Sequence, residues 1–276
     1  MHQPVWTNAK ARLLFQRAPI AGRHHWLFLP GGPGLGSESL LDLTQDVRLP
    51  GSLWHVDLPQ DGSNRFDSYQ INLENWQQAL LESVQVFEQP ILVAHSFGAM
   101  LALTIPKLGD YLKGLVLLNT APSSKWIAAS RDLMEKHQLP DPSTAKQEYK
   151  SHPTDEGFKH FTLDDATMPY FFTTKGQIRG RVLMDQLPYN HVAYDWAGTQ
   201  FHPHYQAIWI PECPTLILGS EHDYLTPLEL FYESSQFLRS NITFSHIPNA
   251  GHFPWIENFI DVQKALQHFY EQLKEA

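Results

Sequence analysis

The chain of 276 residues is 42% hydrophobic and 18% charged, which is ordinary for a soluble globular protein and excludes the disordered, collagen-like and coiled-coil classes. Its net charge is −9, from 20 Lys+Arg against 29 Asp+Glu, and it has no basic run, so we do not expect a nucleic-acid partner. Cys213 is the only cysteine, which excludes an internal disulfide and a multi-cysteine metal site.

The N-terminal residues show no signal for secretion. Residues 1–6 lack the basic stretch followed by an apolar run that is typical of a signal peptide. No apolar segment approaches the length that a membrane span requires. We therefore predict a cytoplasmic protein without membrane association.

Short apolar runs alternate with helical patterns towards both ends of the chain. The near-continuous apolar runs are residues 26–29, 53–56, 91–94, 115–118 and 216–218. Such runs predict strands buried on both faces, because helices cover both sides of a parallel sheet. Trp76, Leu80, Val84 and Phe87 follow the spacing of one helix face. The sequence therefore predicts an α/β fold with a mostly parallel, doubly wound sheet.

Residues 122–208 interrupt this alternation. The segment is rich in Pro, His, Asp and aromatic residues, and it contains no convincing buried strand. An unstructured connection of that length would be anomalous inside a compact domain. We predict that residues 1–121 and 209–276 form the core, and that residues 122–208 form an inserted helical lid.

A glycine-rich turn follows the first apolar run, with the sequence Gly31-Gly32-Pro33-Gly34. Glycine lets the backbone approach a ligand closely, because no Cβ stands in the way. A tight turn feeding a helix and a phosphate-binding loop are the alternatives. The second is disfavoured because no Lys-Ser/Thr pair follows and Pro33 lacks an N–H donor.

The apolar run at 91–94 leads into a serine that is flanked by small residues. The sequence Ala94-His95-Ser96-Phe97-Gly98 is a variant of the Gly-x-Ser-x-Gly nucleophile elbow, in which a strand turns sharply into a helix. Bulky residues two positions before or after the serine would collide with neighbouring elements. Taken alone, the pattern fits a serine that caps a buried helix equally well.

Two later loops carry an acid and a histidine. The run at 216–218 leads to Glu221 and Asp223, ahead of Pro227, which suits the first residue of a helix. Asp223 and Glu221 are rival acids, and the family resemblance given below favours Asp223, which lies four residues before this proline. His252 lies in a loop of small residues before the last helix. It is one of 15 histidines, so it indicates little by itself.

Together these segments resemble the α/β-hydrolase superfamily, and the glycine turn at 31–34 is most similar to that of the prolyl aminopeptidase (proline iminopeptidase) branch. The loop at 56–63 also matches the aspartate-and-glycine loop of such enzymes. Two features differ from that branch: Pro30 stands where it has His, and Ala94-His95-Ser96-Phe97-Gly98 stands where it has Gly-Gly-Ser-Trp-Gly.

The resemblance implies a role for each candidate residue, because Ser, Asp and His follow one another in the chain order of the family's triad. Ser96 would be the nucleophile, His252 the general base and Asp223 the acid that orients the histidine. The backbone N–H groups of Gly32 and Phe97 would form the oxyanion hole.

The predicted function is serine hydrolysis of an ester or amide bond in a small molecule or short peptide, without a cofactor or metal. The alternatives are a prolyl aminopeptidase-like peptidase and a non-catalytic ligand-binding protein on the same scaffold. We do not expect a metal site at His191, Asp195, His202 and His204, because we predict no helix there to set an i, i+4 geometry and no further His or Cys lies at ligand spacing. An aminopeptidase would need acids to hold the substrate amine, and the candidates in the lid are Glu135, Glu148, Glu156, Asp164 and Asp165.

Overall fold

A computed structural model describes residues 3–164 and 170–275 of the chain. The strands in these residues are β1 (Val5–Trp6), β2 (Arg12–Leu29), β3 (Pro50–Asp57), β4 (Ile91–His95), β5 (Gly114–Leu118), β6 (Thr215–Ser220) and β7 (Ile242–Ile247). They form one seven-stranded sheet in which β2, β4, β5, β6 and β7 are parallel neighbours in that order. β1 and β3 pair with β2 in antiparallel fashion.

Helices cover both faces of the sheet. The α-helices are α1 (Leu41–Asp46), α2 (Leu73–Gln85), α3 (Phe97–Ala102), α4 (Lys125–Lys136), α5 (Ser143–Ser151), α6 (Asp155–Leu163), α7 (Thr174–Asp185), α8 (His191–Trp196), α9 (Glu229–Tyr232), α10 (Pro254–Glu257) and α11 (Phe259–Glu275). Short 3-10 helices span Ser37–Leu40, Pro106–Asp110, His202–His204 and Ser235–Phe237, and a π-helix spans Ala197–Phe201. Among the described helices, none combines the length and apolar character needed to cross a bilayer.

The two faces of the sheet explain the continuous apolar runs of the sequence. Successive side chains of a strand point to opposite faces. Leu92 of β4 therefore packs in a core that contains Trp76 of α2, whereas its neighbour Val93 packs in a second core that contains Leu266 of α11. This arrangement confirms the predicted α/β class with a mostly parallel, doubly wound sheet.

Between β5 and β6 the described residues contain the helices α4 to α8, the π-helix Ala197–Phe201 and the 3-10 helix His202–His204. Three of its helices begin where a side-chain oxygen accepts a backbone N–H of the first turn. The capping residues are Thr154 at α6, Thr173 at α7 and Asn190 at α8. Aromatic side chains of this segment, such as Tyr149, Phe158, Phe161 and Tyr194, pack against one another.

The sheet and α3 meet most closely at Gly98. A Cβ added to Gly98 would overlap the Pro30 carbonyl oxygen, which belongs to the backbone and cannot rotate away. In contrast, a Cβ at Gly198 of the π-helix would have no atom within 4 Å apart from its chain neighbours and the backbone of its own helix.

We expect Gly98→Ala to destabilise the protein by about 2 kcal/mol, because the forced backbone shift outweighs the better helix propensity of alanine. Gly198→Ala should stay within about 0.5 kcal/mol of wild type, since helix propensity acts there without a clash. Urea unfolding of both variants measures the difference. Equal stabilities would contradict the close approach of Pro30 to Gly98.

Candidate active site

Ser96 lies in the sharp turn between β4 and α3. Its backbone has φ 50° and ψ −119°, a conformation that residues other than glycine rarely adopt. The turn fits only because its surroundings are small. Ala94 is fully buried before it, and a Cβ added to Gly31 would stand 2.7 Å from the Ser96 Cβ. The strained backbone projects the hydroxyl away from the strand and towards the histidine loop.

The structure brings Ser96, His252 and Asp223 into one chain of hydrogen bonds. Ser96 Oγ lies 3.0 Å from His252 Nε2, and His252 Nδ1 lies 3.0 Å from Asp223 Oδ2. The Asp223 side chain is fully buried and that of His252 is 6% exposed. A carboxylate only accepts, so Nδ1 carries the proton that is donated to Asp223. Nε2 is therefore the nitrogen that can accept a proton from Ser96.

Asp223 is held as a charged carboxylate by its surroundings. Burial by itself would raise its pKa, but the charge of His252 and the hydrogen bonds from His252, Asn119 and Thr226 outweigh burial and hold the pKa well below its usual range. Thr226 donates to Asp223 from its backbone N–H at 3.1 Å and from its hydroxyl at 2.8 Å. The rival acid Glu221 is exposed and accepts the Asn249 N–H instead.

Asn119 is a site residue that the sequence interpretation missed. Its Nδ2 donates to Asp223 Oδ2 at 2.9 Å and to Ser220 Oγ at 2.9 Å, and the side chain is buried. Asn119 directly follows β5, at the edge of the sheet where functional side chains of parallel strands meet. A polar residue at that position was the signal that could have identified it.

His95 was likewise missed, although it stands next to the nucleophile. Its Nε2 donates to the backbone carbonyl of His252 at 3.0 Å. Burial, helped by the charge of His252, lowers the pKa of His95 to about 3, so the ring is neutral at physiological pH. His95 therefore links the strand that carries Ser96 to the loop that carries His252.

The helical segment between β5 and β6 contacts the site through backbone atoms. The Tyr170 carbonyl accepts the His252 N–H at 2.7 Å, and the Asn190 N–H donates to the Gly34 carbonyl at 2.8 Å. Glu257, a third residue not found from sequence, accepts the Gly251 N–H at 2.7 Å with one oxygen. Its other oxygen accepts the Thr173 N–H at 2.6 Å. The histidine loop and the glycine turn are thus both tied to this segment.

The backbone conformation of the glycine turn requires glycine at two positions. Gly32 has φ +106° and Gly34 has φ +98°, both in the left-handed range that favours glycine. A Cβ at Gly34 would overlap the Asn190 carbonyl oxygen. The turn is in contact with the Ser96 side chain through Gly31, which puts Gly32 and Phe97 on the two segments that flank the nucleophile.

His191 and Asp195, considered from sequence as metal ligands, bind to separate partners. His191 Nδ1 lies 2.7 Å from Asp155 Oδ1, and Asp195 accepts the Tyr149 hydroxyl at 2.8 Å. In residues 3–164 and 170–275 no cluster of three or more His, Cys, Asp or Glu has the geometry of a metal site. The lid acids Glu135, Glu148, Glu156 and Asp164 are exposed, and Asp165 lies outside the described residues.

Comparisons with known proteins agree with this architecture. Residues 26–262 match a sequence profile described as an alpha/beta hydrolase family. A proline iminopeptidase-related protein from Thermus thermophilus is 19% identical, with 98% of both chains covered and a TM-score of 0.71. An esterase from Thermogutta terrifontis is 16% identical, with 99% of both chains covered and a TM-score of 0.67. A proline iminopeptidase from Mycobacterium smegmatis is 16% identical, with 98% of both chains covered and a TM-score of 0.64. No protein of curated function matches the sequence significantly.

The lowered pKa of Asp223 leads to a prediction for stability. Because the folded-state pKa lies below the unfolded value of about 3.9, the ionised carboxylate stabilises the fold above that pH, and this stability is lost as the pH falls further. We expect Asp223→Asn to be destabilised by about 3 kcal/mol at pH 7, because it leaves buried donors poorly paired. The deficit relative to wild type should shrink at pH 3.

Urea unfolding at both pH values is the measurement, and Glu221→Gln is the matched control two residues away. The control should differ little from wild type at either pH, since Glu221 is exposed. A deficit of Asp223→Asn that does not depend on pH would contradict a buried, ionised Asp223.

Proposed function

The chain belongs to the alpha/beta hydrolase family, and we propose that it is a serine hydrolase that cleaves an ester or amide bond of a small molecule through an acyl-enzyme. The observation that carries this proposal is the continuous hydrogen-bond chain from Ser96 Oγ through the His252 ring to the buried Asp223. Nucleophile, base and orienting acid each have the contacts that their roles require.

In the acylation step Ser96 Oγ attacks the substrate carbonyl carbon while its proton moves to His252 Nε2. The carbonyl oxygen becomes an oxyanion, and we assign the N–H groups of Gly32 and Phe97 as its hydrogen-bond donors. Asp223 stabilises the imidazolium that forms and does not take up the proton itself. The intermediate collapses as the protonated Nε2 gives its proton to the leaving group, which leaves the acyl group on Ser96.

Deacylation repeats these roles with water. His252 Nε2 takes a proton from a water molecule as the water oxygen attacks the acyl carbon. The second tetrahedral intermediate uses the same two N–H donors, and its collapse returns the proton from His252 to Ser96 Oγ. The products are a carboxylic acid and the free enzyme, and the cycle uses only groups of this chain.

Residues 122–208 are proposed to be the lid that decides which substrates reach Ser96. The contacts of Tyr170 with the histidine loop and of Asn190 with the glycine turn support this role, since they put the segment on both sides of the nucleophile. Sites covered in this way exclude water and select substrates by the shape of the covering segment.

Small activated esters are the preferred substrate class in this proposal. An ester with a good leaving group departs without being protonated, so a triad and an oxyanion hole suffice. An aminopeptidase also needs a carboxylate free to hold the substrate amine. The described lid acids named above are exposed to solvent, so none of them forms a buried carboxylate at the site. Asp155 already binds His191, and Asp195 already binds the Tyr149 hydroxyl.

A prolyl aminopeptidase-like activity is the second candidate, and one observation favours it. The turn at 31–34 has the Gly-Gly-Pro-Gly sequence of that branch. The differences at Pro30 and at Ala94-His95 fall in the segments that would carry the likeness further. We therefore rank this activity below ester hydrolysis.

We expect a fluorophosphonate probe to label the protein at Ser96 alone, because the probe requires a serine activated by a base. Ser96→Ala should abolish the labelling and keep the fold. Ser123→Ala should label as wild type does, since Ser123 is buried at the start of the inserted segment and is not part of the triad.

Intact mass and peptide mapping read out this result. An unchanged mass in folded wild-type protein with excess probe would contradict the nucleophile assignment and favour the non-catalytic ligand-binding alternative.

We further expect kcat/KM for a p-nitrophenyl acyl ester to exceed that for a prolyl arylamide by at least about tenfold, because amide cleavage also needs a proton for the leaving nitrogen. An N-acetylprolyl arylamide is the control for recognition of a free amine. A preference for the prolyl arylamide that N-acetylation abolishes would reverse the ranking and identify an aminopeptidase.

A further inference from the structure

A buried carboxylate lies directly beneath the glycine turn. Asp61 Oδ1 accepts the Gly34 N–H at 2.7 Å and the Gly36 N–H at 3.3 Å. The Asp61 residue is 2% exposed and belongs to the loop that follows β3. One oxygen of Asp61 therefore holds two amides of the turn that runs from β2 to the 3-10 helix Ser37–Leu40.

The backbone next to Asp61 is packed against the same turn. Gly62 has φ +49°, and a Cβ at this position would stand 2.5 Å from the Gly36 Cα. No side chain fits between the two segments, so the position of the Asp61–Gly62 backbone determines where the turn lies. A change in the hydrogen bonds of Asp61 is thus transmitted to the turn rather than absorbed by a gap.

We propose that Asp61 is a positioning residue of the oxyanion hole: its ionised carboxylate fixes the glycine turn through the amides of Gly34 and Gly36, and thereby the direction of the Gly32 N–H. This role rests on the proposed hydrolase function. Asp61 touches neither substrate nor the reacting atoms, and it acts through the backbone of the turn.

The neighbouring acid Asp57 shows why Asp61 is the residue sensitive to pH. Asp57 Oδ1 accepts the Ser37 N–H, and its Oδ2 accepts Arg12 Nε and Nη2 at 3.1 and 2.7 Å, so a bound guanidinium compensates its charge. The charged groups that act on Asp61 are the carboxylates of Asp57 and Glu38. Burial raises the pKa of Asp61 to about 7, and the charge of Asp57 acts in the same direction.

Other charged groups around the turn are bound to partners of their own. Arg12 on β2 bonds to Asp57 and to the Ser63 hydroxyl, which in turn donates to Glu38. On the side of the inserted segment Arg65 bonds to Asp155, which also contacts His191. Arg65 Nε also donates to the Gly62 carbonyl at 3.1 Å, so both guanidinium groups bind partners beside Asp61, whose Oδ1 accepts the two amides of the turn.

The consequence is an acid limb of activity that depends on two protons. His252 must be neutral to accept the Ser96 proton, and Asp61 must be ionised to hold the two amides. If protonation of Asp61 adds to the loss of the free base at His252, kcat/KM should fall about a hundredfold per pH unit on the acid side, whereas a single protonation gives about tenfold. We expect the change to appear in kcat, since the oxyanion forms after substrate binding.

The test is the pH profile of a p-nitrophenyl ester, read at the isosbestic wavelength of p-nitrophenol, for wild type, Asp61→Asn and Glu38→Gln. Asp61→Asn keeps an acceptor oxygen but cannot ionise, so its acid limb should become single-proton, with about a tenfold lower kcat at pH 8 and a similar KM. Glu38→Gln removes a neighbouring charge and can still accept from Ser63, so its second ionisation should move to lower pH. The double variant should show the single-proton limb of Asp61→Asn.

A stability measurement separates this inference from the proposed function. With a pKa raised in the folded state above about 3.9, Asp61 binds its proton more tightly when folded, so wild type loses stability as the pH rises from about 4 to 7. Asp61→Asn cannot bind or release this proton, so it does not lose stability for this reason as the pH rises. The Tm of wild type minus that of Asp61→Asn should therefore decrease from pH 5 to pH 8.

Two results would overturn the role of Asp61 in an active enzyme. One is a Tm difference between wild type and Asp61→Asn that does not change with pH, and the other is a wild-type kcat/KM that falls only about tenfold per pH unit on the acid side. The absence of turnover in every variant, together with a pH-dependent Tm difference, would instead overturn the proposed function and leave the titration of Asp61 in place.

Discussion

The site depends on the close approach of three backbone segments at Ser96: the turn after β4, the first turn of α3 and the glycine turn after β2. The serine has φ 50°, which costs free energy and is kept only because the surrounding packing leaves no alternative. Gly31 lies against its Cβ, and Gly98 allows α3 to reach the Pro30 carbonyl. A methyl group at either glycine would push the glycine turn or the helix away from Ser96. The geometry of the hydroxyl is therefore a product of packing, and the hydrogen bonds of the histidine act on a serine that is already oriented.

The polar groups around this turn are of two kinds: the charged carboxylate of Asp223, and neutral groups that hold this carboxylate and the His252 loop in position. Asp223 is the ionised member, and Asn119 and Thr226 saturate its oxygens so that it faces His252 in one orientation. His95 stays neutral because burial lowers its pKa, and it fixes the backbone of His252 by a single donated proton. Hydrogen bonds from several residues thus hold one imidazole in place, because unpaired polar groups are costly in a buried network.

The sequence predicted the parts that follow from local pattern. The apolar runs at 91–94 and 115–118 are strands β4 and β5, because burial on both faces leaves no polar positions in them. The first half of β2 was not predicted, since its residues pair with the antiparallel β3 and are partly exposed, which removes the continuous apolar signal. Ser96, Asp223 and His252 could be proposed from motif and order. Glu257 could not, because its partner Thr173 lies more than eighty residues away in the chain. Asn119 had only its position directly after a predicted strand as a signal, and its partner Asp223 also lies more than eighty residues away in the chain.

The inserted segment adds a constraint on the geometry around Ser96. It reaches the histidine loop through the Tyr170 carbonyl and the glycine turn through the Asn190 N–H, so both contacts use backbone atoms. Backbone hydrogen bonds tolerate changes of side chain, provided that the local conformation is kept. Side chains of the segment can therefore change while the loop of His252 and the glycine turn stay in place. Glu257 is the exception, because its side chain joins Gly251 to Thr173, and a change there would disturb the attachment of the segment and the histidine loop together.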